Sequence, residues 1–297
     1  MTAIESNLIV PEDLPTTRYR TGVRWFLRRL FRKRAARIGG VIVLVLILCA
    51  VFGQWFTPYD PFNIQTAIRL KPPSLQHVLG TDEQGRDLFS RIIYGSRYTL
   101  MIGVIAVSVA ALPGIFVGLL CAYYGGWVDL LVMRLVDLML SFPYILLTLA
   151  VVAILGPSLT NAMIAVGIAG IPSYARLIRG SSLSVKEEDY VTAERALGAS
   201  NSRIMMHTIF PNILSPIVVY ISLDMPTAVL SAAALSFLGL GAQPPTPEWG
   251  AMMVNARTFV VSAPWVVLAP GMSIFVAILG MNLLGNALRD VMDPRAG

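Results

Sequence analysis

The sequence predicts an all-α fold: a polytopic membrane bundle of six transmembrane helices. Three observations lead there. Of 297 residues, 56% are hydrophobic and only 13% charged, with a mean hydropathy of +0.69. Soluble domains carry about 25% charged residues. The apolar residues gather into runs long enough for helices that rise about 1.5 Å per residue to cross about 30 Å of hydrocarbon. Nine of the 23 basic residues fall between Arg18 and Arg37, directly before the first run, where a basic cluster orients a membrane protein and meets anionic headgroups. The net charge of +6 is therefore a membrane signal, and nucleic acid is not an expected partner.

The first span is Ile38–Phe56. Its 37-residue preamble and the lack of a small-residue cleavage site before Trp55 and Phe56 mark a retained anchor rather than a signal peptide. The second is Leu100–Tyr124. The third enters near Val128 and is strongly apolar over Leu138–Leu155, and Gly156–Asn161 separates it from the fourth, Ala162–Ile178. Ile213–Leu240 and Pro264–Leu284 complete the six. With the basic cluster inside, both termini fall in the cytoplasm. The inside segments then hold 17 Lys and Arg, and the outside segments hold six: Arg69, Lys71, Arg86, Arg91, Arg97 and Arg257. The chain divides into a basic segment (1–37), a first helix (38–56), an outside loop (57–98), a five-helix core (99–288) and a tail (289–297).

Glycine and proline recur inside the spans: Gly103, Pro113, Gly114, Gly118, Pro143 and Pro172. Small residues let helices approach closely in lipid, and proline opens the hydrogen-bond ladder. Outside, 57–97 and 241–263 are rich in proline, which fixes φ and removes a donor, so both are shaped loops. They serve either as a docking face or as a structural cap. Cys49 and Cys121 lie within apolar runs without metal-ligand spacing. His77 and His207 suggest no second ligand. No metal site is expected, and no catalytic residue.

The cytoplasmic segment 179–211 is long and polar. Ser184 and Glu187 form an S-x-x-E pattern, which predicts a helix from near Val185 to about Leu197. Gly198 stops it, and a second helical piece, Asn201–Phe210, leads to Pro211. Two short helices at an angle make a knob suited to a partner's groove. Among ionisable groups, Asp224 stands near the middle of the fifth span, where a charge is expensive. Two readings stay open: it faces a pathway and attracts an ammonium group, or it pairs with a polar group of another span. Arg134 and Asp137, three apart on one face, are expected to satisfy each other or headgroups.

Three motifs carry a resemblance. Tyr190-Val191-Thr192-Ala193-Glu194-Arg195-Ala196-Leu197-Gly198-Ala199, with Pro211 at its set distance, resembles the cytoplasmic signature of permeases of ABC importers in its peptide-permease form, Y-V-x-A-x-R-x-x-G-A. Against the generic E-A-A-x-x-x-G and I-x-L-P pattern, Thr192 and Glu194 depart from the E-A-A, and Thr208 and Phe210 replace Ile and Leu. Leu79–Arg91 is similar to L-G-T-D-x-x-G-R-D-x-x-S-R, with Asp82, Gly85, Arg86 and Asp87 in place. Phe237–Gly250, with Pro247, Glu248 and Trp249, is similar to F-L-G-x-G-x-Q-P-P-x-P-E-W-G. Both elements belong to dipeptide and oligopeptide permeases.

The resemblance implies a type I ABC importer permease fold, with 99–288 as its core domain, in a bacterial inner membrane. It implies a second, similar permease, two ATPase subunits holding ATP and Mg²⁺, and an outside substrate-binding protein. Residues 190, 193–199 and 211 would then couple to the ATPases, and the two outside motifs would take part in docking. The sequence itself contains no G-x-x-x-x-G-K-[ST] phosphate loop, so no cofactor is expected on this chain and it is not expected to be an enzyme. An ion-coupled secondary transporter is the alternative, but such machines show internal repeats and several charges at the midplane. An intramembrane enzyme would need a nucleophile–base pair or metal ligands at depth, and no histidine falls in a span.

Overall fold

In the computed structural model, residues 23–292 are described. Arg18, Arg20 and the last five residues of the tail lie outside them. Among the described residues nearly every element is helical, and the one β contact is an isolated bridge between Thr81 and Asp87. Among the described residues five helices are long and apolar enough to cross a membrane, and the number is six if a bent helix pair is counted as one span.

The basic segment folds as a short helix, α1 (Val23–Arg32), which breaks at Lys33 in extended geometry before α2 (Arg34–Phe56). Phe26 and Leu30 pack with Ala36 against Leu284, Ala287 and Val291, and the Lys33 ammonium meets Asp290 at 2.7 Å. The outside loop carries a single 3₁₀ turn, Thr66–Ile68. Next comes α3 (Leu88–Tyr124), whose 37 residues rise about 55 Å, well beyond the hydrocarbon. It starts twelve residues before the expected span because Asp87 caps it, accepting from the Ser90 amide at 2.8 Å.

The third span is not continuous as expected. Ser141–Pro143 divides it into α4 (Gly126–Leu140) and α5 (Tyr144–Leu155), bent by 95°. Pro143 cannot donate to the ladder of the preceding turn, so α5 restarts from it. The two pieces are about 22 and 18 Å long, each too short to cross alone. Asn161 closes the next turn by donating to Leu155 and Gly156 carbonyls at 2.8 and 3.0 Å, and Ser158 caps α6 (Leu159–Lys186).

The helix expected to start near Val185 is also corrected. Ser184 lies inside α6, which runs through Lys186. After Glu187 and Glu188 the chain restarts as α7 (Asp189–Ala196). Three short pieces follow: α8 (Asn201–Arg203), a π-helical turn (Ile204–Ile209) and α9 (Phe210–Asn212). Then come α10 (Leu214–Phe237), the short helix α11 (Trp249–Ala256) and α12 (Trp265–Met292).

α3 packs closely on α6. A Cβ at Gly114 would stand 2.4 Å from the Tyr174 Cβ, and one at Gly118 would stand 2.5 Å from the Ala175 carbonyl. Small residues substitute here for the hydrophobic drive that lipid does not supply. α2 leans on α12 the same way, where a Cβ at Gly39 would meet the Gly280 carbonyl at 2.7 Å.

Candidate functional site

The knob between α6 and α10 is built from α7 outward. Val191 is buried, whereas Tyr190, Ala193, Arg195, Ala196, Leu197 and Gly198 are exposed, and Glu194 and Ala199 are partly covered. Leu197 is 88% exposed, an apolar side chain presented at the tip. The helix ends in a Schellman arrangement: the Gly198 amide donates to Arg195 at 3.0 Å and the Ala199 amide to Glu194 at 3.1 Å. That geometry places Gly198 at φ +82°, and nothing lies within 4 Å of where its Cβ would be. Among the described residues the space beside Gly198 is open.

The Glu194 carboxylate accepts from the Thr208 hydroxyl at 2.6 Å, stapling α7 to the π-helical turn. Arg195 keeps its guanidinium exposed. Pro211 is exposed in the first turn of α9.

The knob is fastened to the bundle. Val191, Ile204, Met205 and Ile209 form one buried cluster with Leu119 and Tyr123 of α3, Ile178 of α6 and Ile217 of α10. The Tyr123 hydroxyl contacts the Asn201 amide oxygen at 2.7 Å. Lys186 donates to the last carbonyls of α3, Ala122 and Tyr123, at 2.9 and 2.8 Å, where a cation suits the helix C-terminus. Close packing of this kind transmits displacement rather than absorbing it, so force on α7 reaches three spans. Sequence reasoning missed Thr208, Lys186 and Tyr123, whose partners lie 14 to 78 residues away.

The outside motifs form an interlocked structural layer. Asp82 is 4% exposed and Arg86 3%. The Asp82 carboxylate accepts from the Gln84 and Arg86 amides at 2.8 and 2.9 Å and from Arg86 Nε at 2.6 Å. Arg91 adds a second guanidinium, with Nε 3.4 Å from Asp82 Oδ2, and donates to the Pro61 carbonyl at 2.9 Å. Burial, with the Asp82 charge beside it, pushes the Glu83 carboxyl up from its ordinary value. Asp87 holds Ser90 and His77 besides capping α3. Gly85 adopts φ +76°, and a Cβ there would stand 1.9 Å from the Gln65 carbonyl. In the second motif Pro247, Glu248 and Trp249 are buried. Glu248 caps α11 through the Gly250 and Ala251 amides at 2.9 and 2.8 Å. Burial raises its carboxyl although those amides pull the other way. Trp249 donates to the Ile92 carbonyl at 3.1 Å. These residues therefore shape the outer face from within.

Asp224 stands ten residues into α10 and accepts from the Tyr174 hydroxyl of α6 at 3.1 Å. Of the two partners expected for Asp137, Arg134 and headgroups, Arg134 is not taken. Asp137 pairs with Arg176, and Asp129 takes Arg179 through two bonds of 2.5 Å, so both acids of α4 are tied to α6.

Comparison with known proteins follows this geometry. Residues 114–297 match the family model of the binding-protein-dependent transport system inner membrane component. Residues 24–73 match the N-terminal TM domain of oligopeptide transport permease C. A dipeptide transport system permease protein, DppC, of Alkalihalophilus pseudofirmus is 45% identical over 98% of this chain and 95% of its own length. A glutathione transport system permease protein, GsiD, of Escherichia coli is 46% identical over 93% of this chain and 91% of its own. Among solved structures, an inward-facing MetNI methionine ABC transporter shares the fold, with a TM-score of 0.56 and 20% identity over 68% of this chain and 96% of that one. The chain is a multi-pass permease with the type I importer fold, and it belongs to the family of binding-protein-dependent transport system inner membrane components.

Proposed function

We propose that this chain is one of two permease subunits enclosing the pathway of an ATP-driven importer of short peptides, and that Asp189–Pro211 is its seat on the ATPases. The exposed tip of α7, backed by a buried cluster reaching α3, α6 and α10, carries the reading. A tip of small residues beside an open αL glycine admits a close-fitting groove, and its apolar backing conveys movement into the spans. Peptide as substrate rests on the relatives, which are named for dipeptide, di/tripeptide and glutathione transport. ATP and Mg²⁺ belong to the ATPase subunits, and a binding protein delivers substrate to the outer loops. Ala196→Cys, in a chain lacking Cys49 and Cys121, should cross-link through a short dithiol reagent to a cysteine in the ATPase groove. An assembled, transporting complex that gives no such product from any groove position would rule the seat out.

Both termini belong to the cytoplasm in this arrangement. In sealed cells a membrane-impermeant maleimide should label Gln76→Cys, exposed in the outside loop, and spare Asn201→Cys. The reverse pattern would invert the topology.

A further inference from the structure

Asp224 is the acid that the coupling and outer-loop arguments leave unused. It lies about 15 Å along α10 from Leu214, close to mid-membrane. Tyr220 stands one turn earlier on the same face, and its ring meets the Tyr174 ring edge-on at 4.7 Å between centroids. Tyr174 in turn donates to Asp224. Tyr144, first residue of α5, lies within electrostatic reach of the same carboxylate and donates to the Val166 carbonyl at 2.9 Å. Three tyrosines and one carboxylate thus converge from three helices.

Two features separate this cluster from a buried structural knot. Asp224, Tyr220 and Tyr144 keep part of their surface open in this chain, and a partly open acid at mid-membrane faces a protein or water interior, not lipid. Each of the three helices also carries a proline beside the cluster: Tyr144 follows Pro143, at the break between α4 and α5, while Tyr174 is two residues beyond Pro172 and Asp224 two before Pro226, both inside continuous helices. Proline removes a ladder hydrogen bond and lets a helix bend beside a shared site.

We infer that Asp224, framed by Tyr144, Tyr174 and Tyr220, is a transient binding site for the α-ammonium group of the transported peptide. A carboxylate offers a charge-assisted hydrogen bond to an ammonium, and tyrosine faces add cation–π attraction. One carboxylate at mid-path binds well enough to draw the amine through, and only one charge must be left on release. The inference rests on the importer reading.

Its test uses the complete complex in vesicles: both permeases, the ATPases, the binding protein, and dialanine as probe. Asp224→Asn should lower uptake roughly tenfold while hydrolysis stimulated by loaded binding protein persists. Asp224→Glu should recover most of the uptake. Tyr220→Leu should lose roughly threefold, and Tyr220→Phe, which keeps the ring, should lose little. Wild-type uptake by Asp224→Asn, or equal loss in the Asn and Glu variants, would overturn the site. Absence of ATP-driven uptake by the wild-type complex would instead sink the importer reading on which it stands.

Discussion

Asp82→Ala should unfold the outer loop. The Asp82 carboxylate accepts from two amides and from Arg86, and Arg91 Nε stands 3.4 Å away. Both guanidiniums are at least 97% buried. Removing the acid leaves two cations inside the layer with only Glu83 nearby, and that carboxyl is itself pushed toward its neutral form by burial. Breaking a buried ion pair from one side costs about 3–5 kcal/mol, and here one acid serves two cations. The expected result is trypsin cleavage after Arg69 in right-side-out vesicles under conditions that leave wild type intact, with a lower thermal midpoint of the purified chain. Glu83→Gln is the control: its contact to Arg86 is long, at 3.3 Å, and its loss should change both readouts little. Equal protease resistance of Asp82→Ala and wild type would show that the ion cluster does not hold the loop.

Much of the bundle was legible in the sequence, because a 20-residue apolar run in lipid has few alternatives to helix. α2, α6, α10 and α12 fall within a few residues of their expected places apart from extensions at one end, such as Ile178 to Lys186 and Leu284 to Met292. Those extensions are polar, and hydropathy is blind to them. Pro143 was visible, but its 95° consequence was not, since a proline in a span either kinks a helix or ends it depending on tertiary packing. Ser184 and Glu187 matched a capping pattern that α6 overrides by continuing one more turn, tied to α3 through Lys186.

The candidate site divides similarly. The knob's position and its stop at Gly198 follow from local chemistry. The Glu194–Thr208 bond and the burial of Asp82 and Arg86 do not, because charged residues in a hydrophilic stretch look exposed until their partners are placed. Asp224 was singled out by depth alone. Tyr220 stands one turn away on the same helix, but Tyr144 and Tyr174 come from two other helices, and no spacing rule within the sequence joins them to Asp224.

Gly198→Asp should separate the permease from its motor. Gly198 stands at φ +82°, a conformation that costs other residues about 1–2 kcal/mol. Its absent side chain leaves open space against which a groove can close. Aspartate adds bulk and charge there, so seating should fail while the spans still insert. Gly198→Asn distinguishes the two causes, because asparagine tolerates this backbone geometry yet fills the same space. It should block seating nearly as well if the open space is what matters. Gly198→Ala places only a methyl group there and should be the mildest of the three.

The most direct measurement pairs two readouts on one set of vesicles: ATPase subunits retained by the permease, and ATP-driven uptake of dialanine. For Gly198→Asp, retention and uptake should both fall at least tenfold, or hydrolysis should continue uncoupled from uptake, with the amount of inserted permease unchanged. Full retention with wild-type uptake in Gly198→Asp would contradict the claim that this hairpin carries the force, and uptake by the purified chain with no ATPase present would contradict the importer account itself.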